Sequence, residues 1–416
     1  MSLERPDRPR LFSADDLVPA FFQPMLAEAL GDPRLEVEEV VRLEPSAGSS
    51  IVSELVSGGP KQKLVGLVPL RLWLGGENPG ALDVVVKAKP LDEEVAVAMG
   101  AIASLGGERL VETFLRWGDW IGFKGAQGRE LALYRSAPPG IRRVMPRIYG
   151  VHEDSRREAY LVIMERLDEQ VVLKDTADDV TGWTREHVDA ALTGIAGAHA
   201  EWLGREDELL AQPWLAPVPD VWRLGEMREF WFAVAEHNAA AHPGWIDPVT
   251  LRAILDAVAD FPEWWAELED MPRTLVHNDF NPRNIALRKD DLSLVAYDWE
   301  LATLHVPQRD LAELLAFTLP PDVDAARVEH HLEVHRGALE RASGIELDPE
   351  RWRRGYRLAL RDFAITRGGL YLVARTEQSQ AFLERGVPTV KRLIEIEDGP
   401  AAPFLGSGLA AEQQPC

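Results

Sequence analysis

His277-Asn278-Asp279-Phe280-Asn281-Pro282-Arg283-Asn284 sets a His, an Asp and an Asn at the spacing H-x-D-x-x-x-x-N. Fourteen residues after Asn284, Asp298 ends the apolar run Leu292-Ser293-Leu294-Val295-Ala296-Tyr297. Pro282 disfavours a helix, so residues 277–284 are expected to be loop, between short strands at 273–276 and 293–297. A loop fixed in that way can aim several polar side chains at one point. One carboxylate to receive a proton, with an amide and a second carboxylate to hold Mg²⁺, is the set that phosphoryl transfer from ATP requires. Asp279 is the expected proton acceptor or orienting group for a substrate hydroxyl. Asn284 and Asp298 are the expected metal ligands, because hard cations prefer oxygen. His277 is read as a hydrogen-bonding support of the loop. The competing reading is a polar turn in which Asp and Asn serve turn geometry alone.

Working outward, the composition bounds the rest. The chain has 416 residues, enough for about two or three domains. Its 46% hydrophobic and 27% charged content is that of a soluble globular protein. The formal net charge of −23 argues against non-specific nucleic-acid binding, and it is weakly compatible with a cationic substrate. Cys416 is the only cysteine, so no internal disulfide can form, as suits a reducing compartment. The first ten residues carry both charges and two prolines with no apolar stretch behind them, unlike a secretory signal. No uncharged apolar run approaches the ~20 residues needed to span a bilayer. A cytoplasmic location, with no membrane partner, is expected.

Along the chain, residues 13–30 read as a helix with Ser13 as N-cap and Gly31 as stop. Strands are expected at 37–43, 51–56, 64–74 and 82–89, with turns at 45–50 and 57–60. Residues 91–136 have helical spacing. Strand texture returns at 144–151 and 159–164, and beyond Arg166 the chain is mostly helical. The expected organisation is an N-terminal extension and helix (1–35) and a sheet-rich lobe with a helical insertion (36–168). A helical lobe with the catalytic loop (169–396) and a disordered tail (397–416) follow. The fold class is α+β, with an antiparallel sheet in the N-lobe and a mainly α-helical C-lobe.

The loop His277 to Asn284, followed by Tyr297-Asp298-Trp299-Glu300, resembles the catalytic loop and metal-binding Asp of the aminoglycoside phosphotransferase and choline kinase families, which share a bilobal protein-kinase-like fold. Pro307-Gln308-Arg309-Asp310-Leu311-Ala312 resembles a later segment of those families, in which Asp310 would brace the loop; a helix N-cap is the alternative. The resemblance implies a nucleotide clamp upstream. Ser46-Ala47-Gly48-Ser49-Ser50 stands where a phosphate-covering turn should be, so Ser46, Gly48, Ser49 and Ser50 are candidates; taken as an isolated segment, those residues favour an ordinary hairpin turn. Lys87, after Val84-Val85-Val86, matches the V-A-I-K pattern and would contact phosphate, with Lys89 as runner-up. Glu130 in Gly128-Arg129-Glu130-Leu131-Ala132-Leu133-Tyr134 would pair with that lysine, with Glu93 and Glu94 as alternatives. The backbone near Glu165 to Leu167 would meet the adenine. His199 is read as structural.

The resemblance implies an ATP- (or GTP-) and Mg²⁺-dependent kinase of a small hydroxylated molecule: an antibiotic such as an aminoglycoside, a choline-like compound or a sugar. A non-catalytic nucleotide-binding protein on the same fold is the second reading. A metal-dependent hydrolase is the third, and it lacks a His cluster of metal-ligand spacing. The dense tryptophans between Trp202 and Trp352 are read mostly as core. Neither the acceptor nor the oligomeric state is specified by these residues.

Overall fold

A computed structural model describes residues 10–44, 63–215, 217–376 and 380–399. The candidate turn with Ser46, Gly48, Ser49 and Ser50, the strand expected at 51–56 and most of the expected tail lie outside these residues.

Helix α1 (Pro19–Leu30) starts with Pro19 in its first turn, where the missing N–H costs nothing, and stops at Gly31 in a left-handed conformation. Strands β1 (Glu36–Arg42), β2 (Gly66–Gly75) and β3 (Gly80–Ala88) follow. Then come helices α2 (Asp92–Leu105), α3 (Glu108–Trp117), α4 (Ala126–Ser136) and α5 (Pro139–Val144), and strands β4 (Ile148–Asp154) and β5 (Ala159–Glu165). The five strands form one antiparallel sheet in the order β1-β2-β3-β5-β4. The strand expected from residue 144 begins instead at Ile148, because Pro139 opens a short helix ahead of it.

Alternation along β3 decides which side chains reach the site. Val84, Val86 and Ala88 join Leu26, Leu72 and Ile163 in the core beneath α1. Lys87 therefore points to the other face, toward α4, and Lys89 follows it two residues on.

Beyond β5 lie β6 (Val171–Val172) and helices α6 (Arg185–His199), α7 (Glu206–Leu210), α8 (Val221–Ala241), α9 (Pro248–Ala259) and α10 (Phe261–Glu269). Four short strands then frame the loop: β7 (Thr274–Val276), β8 (Ile285–Arg288), β9 (Leu294–Ala296) and β10 (Thr303–His305). Strands β6, β8 and β9 form one small antiparallel sheet, and β7 pairs with β10. Of these, the sequence reading anticipated β7 and β9. The C-terminal helices are α11 (Gln308–Thr318), α12 (Ala325–Ser343), α13 (Pro349–Ile365), α14 (Arg367–Arg375) and α15 (Phe382–Asp398). Every residue of α11 is buried, which makes it the axis of the helical part. Glycine at 194 lets α6 lie directly on β9, since a Cβ there would fall 2.5 Å from Leu294 Cβ.

The fold is thus α+β, an antiparallel sheet followed by a helical region. Helices α2 and α3 leave the sheet: α3 packs on α8, and α2 packs on α3 and α14. Ile102 and Leu110 join Phe230 and Val234 in the main core, Trp117 Nε1 donates to Glu229 Oε1 at 2.9 Å, and Arg223 stacks over Trp120 at 4.5 Å. The insertion therefore ties the sheet to the helical region. Of the tryptophans singled out above, Trp202, Trp231, Trp264, Trp265 and Trp352 are buried, whereas Trp222 is 70% exposed.

Candidate active site

Three distant segments converge on one buried ion cluster. Lys87 Nζ, from β3, lies 2.8 Å from Glu130 Oε2 on α4 and 2.5 Å from Asp298 Oδ1 just after β9. Lys89 Nζ is 2.7 Å from the same Glu130 oxygen and also pairs with Glu300. Both lysines thus serve Glu130, and the structure keeps Lys89 in the site rather than on the surface. Of the alternative carboxylates, Glu94 bonds Lys63 and the Leu91 backbone, away from Lys87.

Burial works against the charge on Glu130 and Asp298, but Lys87 and Lys89 outweigh it and hold both below the usual carboxylate range. Burial works against the charge on Lys89 as well, and the surrounding carboxylates more than reverse it, so the amine stays protonated. Glu300 goes the other way: burial and the neighbouring Asp298 charge raise it. Two lysines therefore face two carboxylates held low and a third pushed up. Asp298 itself is in the left-handed region at φ 66°, a conformation Asp tolerates better than most residues.

The loop His277 to Asn284 is braced from below. Asp310 Oδ2 accepts from His277 N–H and Oδ1 from Asn278 N–H, both at 2.8 Å. Asp310 Oδ2 also lies 2.9 Å from His199 Nε2, whose Nδ1 is 3.1 Å from His335 Nε2. Asp310, His199 and His335 are all fully buried. Asp310 is the third residue of α11 and not its N-cap, which is Pro307. His277 lies with Nε2 2.9 Å from the Tyr297 carbonyl, linking the loop to the residue before Asp298.

Asp279 is held through both oxygens. Asn284 Nδ2 donates to Oδ2 at 2.6 Å, and Asn281 Nδ2 and Tyr371 OH donate to Oδ1 at 3.0 and 2.7 Å. Burial pushes its pKa up, but the charges of Arg367 and Arg283 and the Tyr371 hydrogen bond bring it below the usual carboxylate range. Behind it sits Glu313, 3.0 Å from Asn281 Nδ2 and from Arg309 Nη1 and 3.3 Å from the Tyr371 hydroxyl. Burial, with Asp279 adding to it against Arg309, raises Glu313 to about 7. Asp279 is thus an ionised carboxylate beside a partly protonated one, an arrangement suited to accepting a proton.

The donor atoms fit a hard cation. Glu130, Asp298 and Glu300 offer carboxylate oxygens within 4.8 Å of one another, and the Asp298 side chain keeps 17% exposure while Glu130 has none. With its amide nitrogen spent on Asp279, Asn284 retains its amide oxygen as a further donor.

Glu165 and Leu167 lie at the end of β5, away from the ion cluster's contacts. Glu165 binds Arg288 through its side chain, and Leu167 is buried with its carbonyl accepting from Lys174 Nζ at 2.7 Å. Arg166 N–H donates to the Asp83 carbonyl at 3.2 Å. A base docking here would exchange with these internal partners.

Several residues of the site went unassigned in the sequence. Glu300 stands two residues beyond Asp298, and Asn281 lies inside the loop itself, so both were within reach of a reading that looked for carboxylate and amide neighbours. Arg129, next to Glu130, holds the Glu300 carbonyl at 2.6 Å. Glu313, Arg367 and Tyr371 carried no signal, because only packing of α11 and α14 brings them to the loop.

Residues 126–345, more than half of the chain, match the phosphotransferase enzyme family (APH). No curated protein matches the chain. Among solved structures, it is similar to a choline kinase from Streptococcus pneumoniae (15% identity, 91% of this chain and 97% of that one, TM-score 0.41). An aminoglycoside-3'-phosphotransferase of type VIII gives 18% identity, 81% and 98% coverage and a TM-score of 0.33. An ethanolamine kinase from Plasmodium vivax gives 10% identity, 88% and 84% coverage and a TM-score of 0.42. With the family match spanning the segment from the Glu130 helix through the loop, Asp298 and Asp310, the chain belongs to the phosphotransferase enzyme family.

Proposed function

We propose that the protein is a small-molecule kinase that transfers the γ-phosphoryl group of ATP, or GTP, to a hydroxyl of its acceptor. What supports this reading is the meeting of Lys87, Glu130 and Asp298 in one cluster, next to a loop whose Asp279 is ionised and braced. Lys87 would contact the nucleotide phosphates, with Glu130 holding it in place and Lys89 bracing Glu130 from behind. Oxygens of Asp298 and Asn284 would hold Mg²⁺, which supplies charge neutralisation at the phosphates. Asp279 orients the acceptor hydroxyl and takes its proton. The acceptor O–P bond forms as the bond from the γ-phosphorus to the oxygen retained by ADP breaks. Asp310, with His199 and His335, is a positioning group that fixes the loop's backbone.

A coupled ADP-release screen over aminoglycosides, macrolides, nucleoside antibiotics, choline and sugars tests the reading, with mass analysis for one added phosphoryl group. Acceptor-dependent ADP release with a singly phosphorylated product is expected, and Asp298→Asn should weaken Mg-nucleotide binding in calorimetry. Tight Mg-ATP binding with no turnover of any acceptor would point instead to a nucleotide-binding regulatory protein.

A further inference from the structure

The hydroxyl of Tyr371 stands 2.7 Å from Asp279 Oδ1, at hydrogen-bond distance from the proposed base. Its ring forms part of the wall of a cavity of about 60 Å³, lined also by Trp245, Phe317, Phe363, Leu372 and Leu383. Among the described residues, Lys391 is the one charged residue in that wall, and no carboxylate lines it. A cavity of ~150 Å³ lined by apolar side chains accepts benzene. This smaller one suits a branch of a few carbons rather than a whole molecule.

The charge around the base points the same way. Although the chain carries −23 overall, the charges that act most on Asp279, beyond its neutral hydrogen-bond donors, are the guanidinium groups of Arg367 and Arg283. Arg367 donates to the Asn278 carbonyl at 3.3 Å, and Arg283 lies over the Phe382 ring at 4.8 Å. Glu313 is already engaged by Arg309. A polycationic acceptor would meet two guanidinium groups beside the base and lose the steering that a carboxylate-lined site provides. Resting on the phosphotransfer reading, we propose that the acceptor is an uncharged alcohol carrying a short apolar branch: its hydroxyl takes the place of the Tyr371 hydroxyl at Asp279, and the branch enters the cavity behind the Tyr371 ring. Proton and phosphoryl bookkeeping is that of the transfer above, with Tyr371 leaving as an intact phenol.

The test uses the full chain with Mg-ATP and two sets of acceptors. One set holds neutral alcohols with apolar branches (cyclohexanol, benzyl alcohol and 2-methyl-1-butanol as minimal probes, with neutral polyketide alcohols as larger ones). The other holds cationic acceptors: kanamycin, choline and ethanolamine. The highest kcat/KM is expected in the neutral set. Gly386 also lines the cavity, and a Cβ there would meet Phe317 only at ordinary contact distance, 3.8 Å. Gly386→Leu should therefore fill the space and raise KM for the best neutral acceptor about tenfold or more, leaving KM for ATP unchanged. Ala364→Leu, from α13, fills the same space and serves if Gly386→Leu melts early. Preference for the cationic set, or an unchanged acceptor KM in a folded cavity-filled variant, overturns the inference while leaving the kinase reading intact. Mg-ATP binding with no phosphorylated product from either set removes both.

Discussion

The two halves of the site hold their charges by opposite means. Around Lys87 the charges are direct neighbours: two ammonium groups and the carboxylates of Glu130 and Asp298 neutralise one another inside the cluster. Around Asp279 the carboxylate makes no direct ion pair among the described residues; its oxygens are filled by neutral donors, and its ionisation rests on Arg367 and Arg283 standing further off. A group locked in a short ion pair is poorly available for proton transfer, whereas one held by neutral hydrogen bonds can exchange them for a substrate hydroxyl. The first arrangement suits a fixed scaffold and the second a reacting group.

If that contrast is correct, the largest loss should come from the Asp279 side. Asp279→Ala is expected to lower phosphoryl transfer by about 10³-fold or more, with Mg-ATP affinity in calorimetry close to that of the parent. Retained turnover would remove Asp279 from its role and erase the contrast. Glu130→Ala should act mainly on the fold, because it leaves two buried ammonium groups without their shared partner. A destabilisation of about 3–5 kcal/mol in urea unfolding is expected, and a value below 1 would mean that water already screens the cluster.

Glu313 separates the two halves by pH. Its folded pKa is raised to about 7 from an ordinary 4.5, so the folded state retains a proton that the unfolded chain releases. Its favourable contribution is complete below the ordinary value and is lost as pH rises to about 7. Glu313→Gln, neutral at every pH, should therefore gain stability relative to the parent between pH 5 and 8, on the order of 3 kcal/mol. Parallel stability curves for the two proteins would place Glu313 among ordinary ionised carboxylates. The smallest effect is expected outside the site, at the tie between α3 and α8. Arg116 and Glu229 there are 65% and 41% exposed in their side chains, and Arg116→Ala should cost less than about 1 kcal/mol with activity unchanged.

The insertion shows where a linear reading stops. Its helical periodicity was readable from Val95 and Leu110 onward, but nothing in those residues says that α3 would dock on α8 and α2 on α3 and α14, since an apolar stripe does not name its partner. The same holds for strand β8. Ile285 to Arg288 follows Asn284 directly and is too short for alternation to declare itself, yet its pairing with β9 sets the loop beside Asp298.

What the sequence determined by itself is the local part of the site. H-x-D-x-x-x-x-N, the apolar strand ending at Asp298 and the valine run before Lys87 each depend on spacing along one segment, and spacing survives in a linear string. Tertiary structure decided the rest. It placed Lys89 on Glu130 beside Lys87, brought Tyr371 from 92 residues away onto Asp279, and built an apolar cavity from α9, α11, α13, α14 and α15 behind it. Burial and through-space distance set those relations, and neither is a property of sequence separation.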